Sequence, residues 1–171
     1  MRCDAPEDEV SRLARGYVTA WNSHDVDGLL SLFAEDGSYG EFGLGRIMLG
    51  QEEIRRYLIA TFAALPDLIT TPTSEPLSIG GRVSWRWLMT ATHQGGYVGI
   101  RATGKRFELR GFSVLLVRGD RIVRAADCFD VAAVVRQVAP ESFGCSKDAG
   151  EIGLSRRLNV LADEDNIGYG E

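Results

Sequence analysis

The chain is poor in the residues that staple or metallate a fold. Its three cysteines, Cys3, Cys128 and Cys145, are odd in number and far apart. They form neither a disulfide framework nor the close spacing of a zinc knuckle, and they suit a reducing, cytoplasmic setting. Only two histidines occur, His24 and His93, and neither sits in a repeating His or carboxylate pattern of metal-ligand type, so no metal is expected. No uninterrupted apolar run is long enough to cross a bilayer, and the N-terminal stretch Met1–Glu9 is acidic without an apolar core; neither a membrane span nor an export signal is expected. Lys and Arg number 19 against 24 Asp and Glu, a formal net charge of -5, and the basic residues do not cluster. Nothing here would track a phosphate backbone, which excludes nucleic acid as the expected partner. Gly43-Leu44-Gly45 lacks the strand and helix context of a dinucleotide loop and is given no phosphate role.

What is present is material for one core. A length of 171 residues and a hydrophobic content of 44% fit a single globular domain. Val10, Leu13, Ala14, Tyr17, Val18 and Trp21 recur at the spacing of one helical face. Asn22-Ser23-His24-Asp25 interrupts that pattern, and Leu29, Leu30, Leu32 and Phe33 predict a second short helix ending near Glu35-Asp36-Gly37. A short strand over 38–42 is followed by a third helix carrying Ile54, Leu58 and Phe62, which Pro66 stops. The period then changes. Segments 68–79, 83–93, 107–117 and 121–129 read as strands rich in β-branched and aromatic residues, with turns at Gly80-Gly81 and Arg118-Gly119-Asp120. Helices first and strands afterwards predict an α+β domain over 1–139, its curved sheet wrapped around three N-terminal helices. After Pro140 the composition turns to glycine, serine and charge, so 140–171 is expected to be a partly flexible appendage with a short helix around 154–161.

Within the last strand, alternation places Val123, Ala125, Asp127 and Phe129 on one face and Ile122, Arg124, Ala126 and Cys128 on the other. Asp127 thus looks inward among small and apolar neighbours. A carboxylate there is costly unless paired, and desolvation raises its pKa toward the working range of an acid or base. Asp130, just before a run of helical spacing, reads as a helix cap. Val83, Trp85, Trp87, Met89, Ala91 and His93 share a second inward face, opposite Arg86. The tryptophans either stack on a flat ligand or fill the core. His93, at the end of that face, either polarises a substrate carbonyl or caps the following loop. Ser113 faces inward from the third strand with Leu109 and Leu115, and its hydroxyl either bonds locally or orients a ligand. On the outer faces, Arg86 and Arg110 are placed to pair with Glu108 across strands. Phe112, Val114 and Leu116 on that side need cover, which predicts an isologous dimer through the sheet.

Five stretches in order resemble one known family. They are Ala20-Trp21-Asn22-Ser23-His24-Asp25, Leu65-Pro66-Asp67-Leu68, Thr92-His93-Gln94-Gly95, Ala102-Thr103-Gly104-Lys105, and Asp127-Cys128-Phe129-Asp130 with Arg136-Gln137. Together they are similar to the SnoaL-like polyketide cyclases, which have the nuclear transport factor 2-like cone. The resemblance implies a cofactor-free homo-oligomer with an apolar cavity between sheet and helices, and it puts the acid/base carboxylate at Asp127. It also implies a hydrophobic, polyketide-like small-molecule substrate and an acid/base-catalysed ring closure. Members that close an anthracycline ring by aldol chemistry carry a histidine where this chain has Ser113. Similar proteins also open epoxides, hydroxylate or isomerise, and a cone without chemistry would serve as a binding module for a hydrophobic ligand or a protein. Tyr39 and Glu41 lie where family members present polar groups to the cavity. Tyr39 is either a donor to an enolate or a core tyrosine, and Glu41 a second acid. The expected catalytic residues are therefore Asp127 and His93, and the expected substrate-binding residues are Tyr39, Trp85, Trp87, Met89, Ser113 and Phe129. Tyr17 and Trp21 pack with their tips toward the cavity.

Overall fold

The structure, a computed structural model, describes residues 7–143; the expected appendage helix at 154–161 lies outside them. Helix α1 (Glu7–Asn22) buries Val10, Leu13, Ala14, Tyr17 and Trp21 of the predicted stripe, with Val18 half-buried. It stops where His24 takes a left-handed backbone, φ 53°. The family-like segment around that turn works as a fastener. The Asn22 side chain donates to Thr70 O at 2.9 Å and accepts from Thr70 N at 2.8 Å. His24 Nε2 lies 3.0 Å from Leu68 O, and its ring stacks on Phe62 at 4.5 Å. Asp25 then caps helix α2 (Val26–Leu32), accepting from Gly28 N at 2.8 Å.

Helix α2 ends before the expected Glu35 to Gly37, because Phe33 is already extended and opens strand β1 (Phe33–Glu41). The strand expected over 38–42 is thus nine residues long. Exposed Glu35 and Asp36 hide its first half in the sequence, and its register slips between Phe33 and Ser38. A short 3-10 turn, Phe42–Leu44, leads into β2 (Arg46–Leu49), a mostly exposed hairpin partner that sequence pattern did not announce. Helix α3 (Gly50–Ala64) buries Ile54, Leu58, Thr61 and Phe62 and ends at Leu65, ahead of Pro66. The strand expected over 68–79 is two short ones, β3 (Ile69–Pro72) and β4 (Leu77–Ile79), both antiparallel to β5 (Arg82–Thr92). Pro72 and Pro76 flank the break, and neither can donate to a ladder.

Strands β5, β6 (Arg106–Arg118) and β7 (Arg121–Phe129) pair antiparallel in succession, and the predicted turns that join β4 to β5 and β6 to β7 hold Gly80, Gly81 and Gly119 at positive φ. The sheet runs β2-β1-β7-β6-β5-β3, with β4 also on β5, and among the described residues only the β1–β7 pair is parallel. It is a curved, unclosed sheet on mixed α+β architecture. Leu29, Ile54, Leu58, Leu115 and Ile122 lie wholly inside, each removal from water contributing roughly 2 kcal/mol. Asp130 caps α4 (Val131–Val138) by accepting from Ala132 N at 2.9 Å, and the 3-10 turn Pro140–Phe143 follows. Gln137 of α4 satisfies both backbone groups of Glu108, where β7 no longer reaches β6.

Strict alternation holds along β5 and β6 but not along β7. Leu116 pairs with Arg124 while Val117 pairs with Ile122. Val123 is therefore an extra, bulged residue, and Ile122, expected outside with Arg124, is fully buried. Ala125 and Asp127 keep their inward parity beyond the bulge. On the outer face Thr90 stands opposite Glu108, Leu88 opposite Arg110 and Phe112 opposite Arg86, so the register does not supply the expected Arg–Glu pairs. Phe112 remains 44% exposed there, in a shallow groove with Val114, Leu116, Ala126 and Cys128. Among the described residues no helix is long and apolar enough to cross a membrane.

Candidate active site

Four neighbouring strands bring one row of side chains to the inner face. Glu41 of β1 pairs with Asp127 of β7, Asp127 with Ser113 of β6, and Ser113 with Trp85 of β5. The adjacent row holds Phe129, Gly111 and Trp87. Helices α1 and α3 close over these rows with Tyr17, Val18, Trp21 and Thr61.

Asp127 is held at both oxygens. Ser113 Oγ donates to Oδ1 at 2.5 Å and Tyr39 Oη donates to Oδ2 at 2.6 Å. Ser113 in turn accepts from Trp87 Nε1 at 2.9 Å. Burial raises the Asp127 pKa, while the Ser113 and Tyr39 hydroxyls pull it back by favouring the ionised form. Glu41, 4% exposed, is pushed to about 7, chiefly by burial. The Tyr57 hydroxyl donates to its Oε1 and opposes that shift, whereas the neighbouring Asp127 reinforces it. The site therefore carries two adjacent carboxyl groups, both displaced toward the neutral range, inside a ring of tyrosines. Burial, with Asp127 as the next cause, also raises the Tyr39 and Tyr17 hydroxyls well above their ordinary value.

The cavity beside Asp127 contains about 40 Å3 of free space, room for a few waters. A wider pocket of about 390 Å3, lined by Arg46, Tyr57 and the 96–99 loop, shares Thr61 and Tyr97 with it. Trp85 Nε1, on a cavity-lining residue, is buried without a partner, whereas the Tyr17 hydroxyl has the Trp21 and Tyr39 side chains as hydrogen-bonding neighbours. A buried donor left unpaired costs about 1–3 kcal/mol. Among the described residues no group of three or more His, Cys, Asp or Glu side chains converges as a metal site would require.

Asp127, Tyr39, Ser113, Trp85, Trp87, Met89 and Phe129 all line this one cavity. His93, expected beside them, does not. It is fully buried at the end of β5, with Nδ1 3.1 Å from Thr103 Oγ1 and its backbone bonded to Thr103, Gly104 and Lys105. Desolvation lowers its pKa. The adjoining Thr92 donates twice to Asp67, at 2.6 and 2.7 Å, and Gln94 and Gly95 bond Ala64 O. Three of the family-like stretches thus knit one corner of the fold rather than the site. Sequence reasoning missed Tyr57 and Tyr97. Tyr57 lies three residues after Ile54 and four before Thr61, a helical spacing that marks it as facing the core. Tyr97 sits in a glycine-rich loop with no periodic signal.

A curved, unclosed sheet covered by helices is the architecture of small α+β proteins with a ketosteroid isomerase-like fold. A protein of that fold from Catenulispora acidiphila DSM 44928, solved in complex with trimethylamine, is 23% identical, covers 74% of this chain and 91% of its own, and superposes with a TM-score of 0.65. Within that class, the chain belongs to the SnoaL-like polyketide cyclase family, whose model matches residues 11–138. IdmH from Streptomyces antibioticus, a candidate polyketide cyclase, is 26% identical over 75% of this chain and 96% of its own, with a TM-score of 0.64. AclR from Streptomyces galilaeus, a candidate hydroxylase, is 22% identical over 79% and 98%, with a TM-score of 0.68. No curated protein matches the sequence.

Proposed function

We propose that this protein is a cofactor-independent cyclase of secondary metabolism, closing a ring in a hydrophobic, polyketide-derived molecule with Asp127 as acid and base. The observation that carries this reading is Asp127 itself, a half-buried carboxylate bonded at each oxygen by the hydroxyls of Ser113 and Tyr39. Ionised, it takes a proton from the carbon between two carbonyls. The enolate carbon attacks a further carbonyl of the same molecule, whose C=O electron pair becomes the alkoxide, and the same carboxyl returns the proton to that oxygen. Ser113 and Tyr39 position the carboxylate, and Trp87 positions Ser113. The apolar walls Trp85, Met89 and Phe129 hold the chain folded on itself, and such orientation contributes several kcal/mol when reacting atoms are held close. In this reading His93 has no role in the chemistry.

Replacement of Asp127 by Asn tests the proposal. With a polyketide-derived substrate, turnover falls by at least about a hundredfold in a variant whose circular dichroism is unchanged. Undiminished turnover overturns it.

Glu41 favours a second reading. A carboxyl with a pKa of about 7 beside a general base suits epoxide opening, in which Glu41 protonates the departing oxygen and Asp127 directs water or a substrate hydroxyl to carbon. Oxygen incorporated from labelled water separates hydrolysis from ring closure. A binding module without chemistry is favoured by a cavity with no second polar group near Asp127, and here Tyr39, Ser113 and Glu41 stand beside it.

The proposal includes a second copy over the outer sheet face, where Phe112 is exposed among Val114 and Leu116. Sedimentation is expected to give a dimer for the native chain and a monomer for Phe112→Asp; a monomeric native chain overturns it.

A further inference from the structure

The row of side chains that holds Asp127 does not end at Glu41. Strand β2 pairs with β1 so that Arg46 stands opposite Glu41, as Glu41 stands opposite Asp127. Paired residues share a face of the sheet, and neighbouring strands lie about 4.8 Å apart, so the backbones of Arg46 and Asp127 are separated by roughly 10 Å along this row. Arg46 lines the wider pocket of about 390 Å3, Asp127 lines the narrow one, and Thr61 and Tyr97 belong to both. Arg46 is the one charged residue among the described residues that line the wider pocket. Its charge is not neutralised there. Among the described residues no carboxylate comes within ion-pair distance of it. Glu41, its partner in register, is buried and takes the Tyr57 hydroxyl, and burial outweighs the pull of Arg46 on that carboxyl.

A second feature marks the same pocket. Val98 and Gly99 in its wall are both left-handed, at φ 48° and 80°. They make a two-residue turn closed by Tyr97 N donating to Ile100 O at 3.1 Å and Ile100 N donating to Tyr97 O at 2.9 Å. A β-branched residue rarely takes such a backbone, and where one persists it tends to lie at a ligand clamp or an active site. Val98 packs against the core, which fixes the turn in this wall.

We propose that Arg46 is the binding site for a carboxylate on the ligand, which makes the ligand an organic acid whose apolar skeleton runs from the wider pocket toward Asp127. A guanidinium offers a carboxylate two parallel N–H bonds, a match of geometry as well as charge. A phosphate dianion fits less well, because no second cation lines this pocket. Anchored at Arg46, a flexible molecule presents to Asp127 a carbon selected by its distance from the carboxyl group, so Arg46 acts as a positioning residue. That the far end of the ligand meets Asp127 rests on the proton transfer proposed above; the carboxylate site rests on Arg46.

The test uses 5-phenylpentanoic acid and 5-phenylpentanamide, its neutral counterpart of the same shape, titrated calorimetrically into the full chain at about pH 6, where the acid is ionised. The native chain is expected to bind the acid roughly tenfold more tightly than the amide, the effect of a hydrogen bond to a charged group. Arg46→Gln abolishes that preference, whereas Arg110→Gln, on the outer face, leaves it within about twofold. Arg46 is exposed on an edge strand, and an unchanged melting temperature checks that the variant is folded. Added sodium chloride shrinks the preference of the native chain, a readout that needs no variant. Equal affinities for acid and amide, failure of the acid to bind, a preference indifferent to salt, one that survives Arg46→Gln or one that Arg110→Gln also abolishes overturns the site. Turnover of Asp127→Asn separates the two proposals. Loss of turnover without an acid preference removes the carboxylate site alone, and full turnover with an Arg46-dependent preference removes the proton transfer alone.

Discussion

Gly111 lies directly beneath the indole of Trp87. A Cβ at Gly111 would meet Cη2 of that ring at 2.3 Å and the Cys128 carbonyl oxygen at 2.7 Å. Gly111 is absent from the residues with positive φ, so contact and not backbone conformation demands glycine here. The close approach lets the indole reach over β6, with Nε1 2.9 Å from Ser113 Oγ. Gly111→Ala is therefore expected to displace Trp87, break that bond and destabilise the fold by about 1–3 kcal/mol. Urea unfolding measures the stability, and altered tryptophan fluorescence of the native state reports the ring.

Ser113 and Tyr39 favour the ionised form of Asp127, so removing either raises its pKa further. If Asp127 acts as a base, the acid limb of kcat/KM follows its ionisation. Ser113→Ala and Tyr39→Phe should each move that limb to higher pH, with activity at alkaline pH recovering more than activity at acid pH. A uniform loss across the profile would assign these hydroxyls to substrate binding instead. The comparison requires only pH–rate profiles of three proteins.

Asp130 offers the contrasting case, three residues from Asp127. Its carboxylate accepts from Ala132 N and from Arg136 at 2.9 Å, at an exposed position. Asp130→Ala should cost about 1 kcal/mol, mostly the lost cap, since an exposed ion pair adds little. Thermal unfolding should register the change, while kcat/KM stays within about twofold.

The two aspartates also show what a sequence can disclose. Alternation along a strand and the start of a helical run separated Asp127 from Asp130 without coordinates, and the parity of β5 and β6 placed Trp85, Trp87, Met89 and Ser113 on one face. Period-2 reasoning failed at Val123, because a bulge depends on the partner strand and leaves no local pattern. It also failed at β2, whose exposed residues carry no buried face to alternate. His93 was misplaced for a different reason. It lies on the inward face, yet α3 and the 93–105 backbone close around that end of β5, and parity says nothing about distance along the strand from the cavity. Tyr97 reaches the site from a loop, where no period applies. The paired carboxyls Glu41 and Asp127 required the parallel β1–β7 register, a contact between segments 86 residues apart.

That pair has a measurable consequence for stability. Glu41 carries a folded pKa of about 7 against an ordinary value of 4.5. Below about pH 4.5 the group is protonated whether the chain is folded or not, and it costs nothing. As pH rises toward 7 the unfolded chain releases the proton while the folded chain retains it, so stability falls through this window. Above the folded pKa the penalty is complete, about 3 kcal/mol for a shift of this size. Asp127, raised in the same direction by burial, adds a loss of the same sign. Glu41→Gln keeps an oxygen for the Tyr57 hydroxyl but removes the charge. The native chain should therefore melt at progressively lower temperature between pH 5 and pH 8, and the variant should lose less over the same range, overtaking it at the alkaline end. Parallel melting curves for the two proteins would show that Glu41 is ionised in the folded state at acid pH, and would remove it as the proton donor of an epoxide-opening reaction.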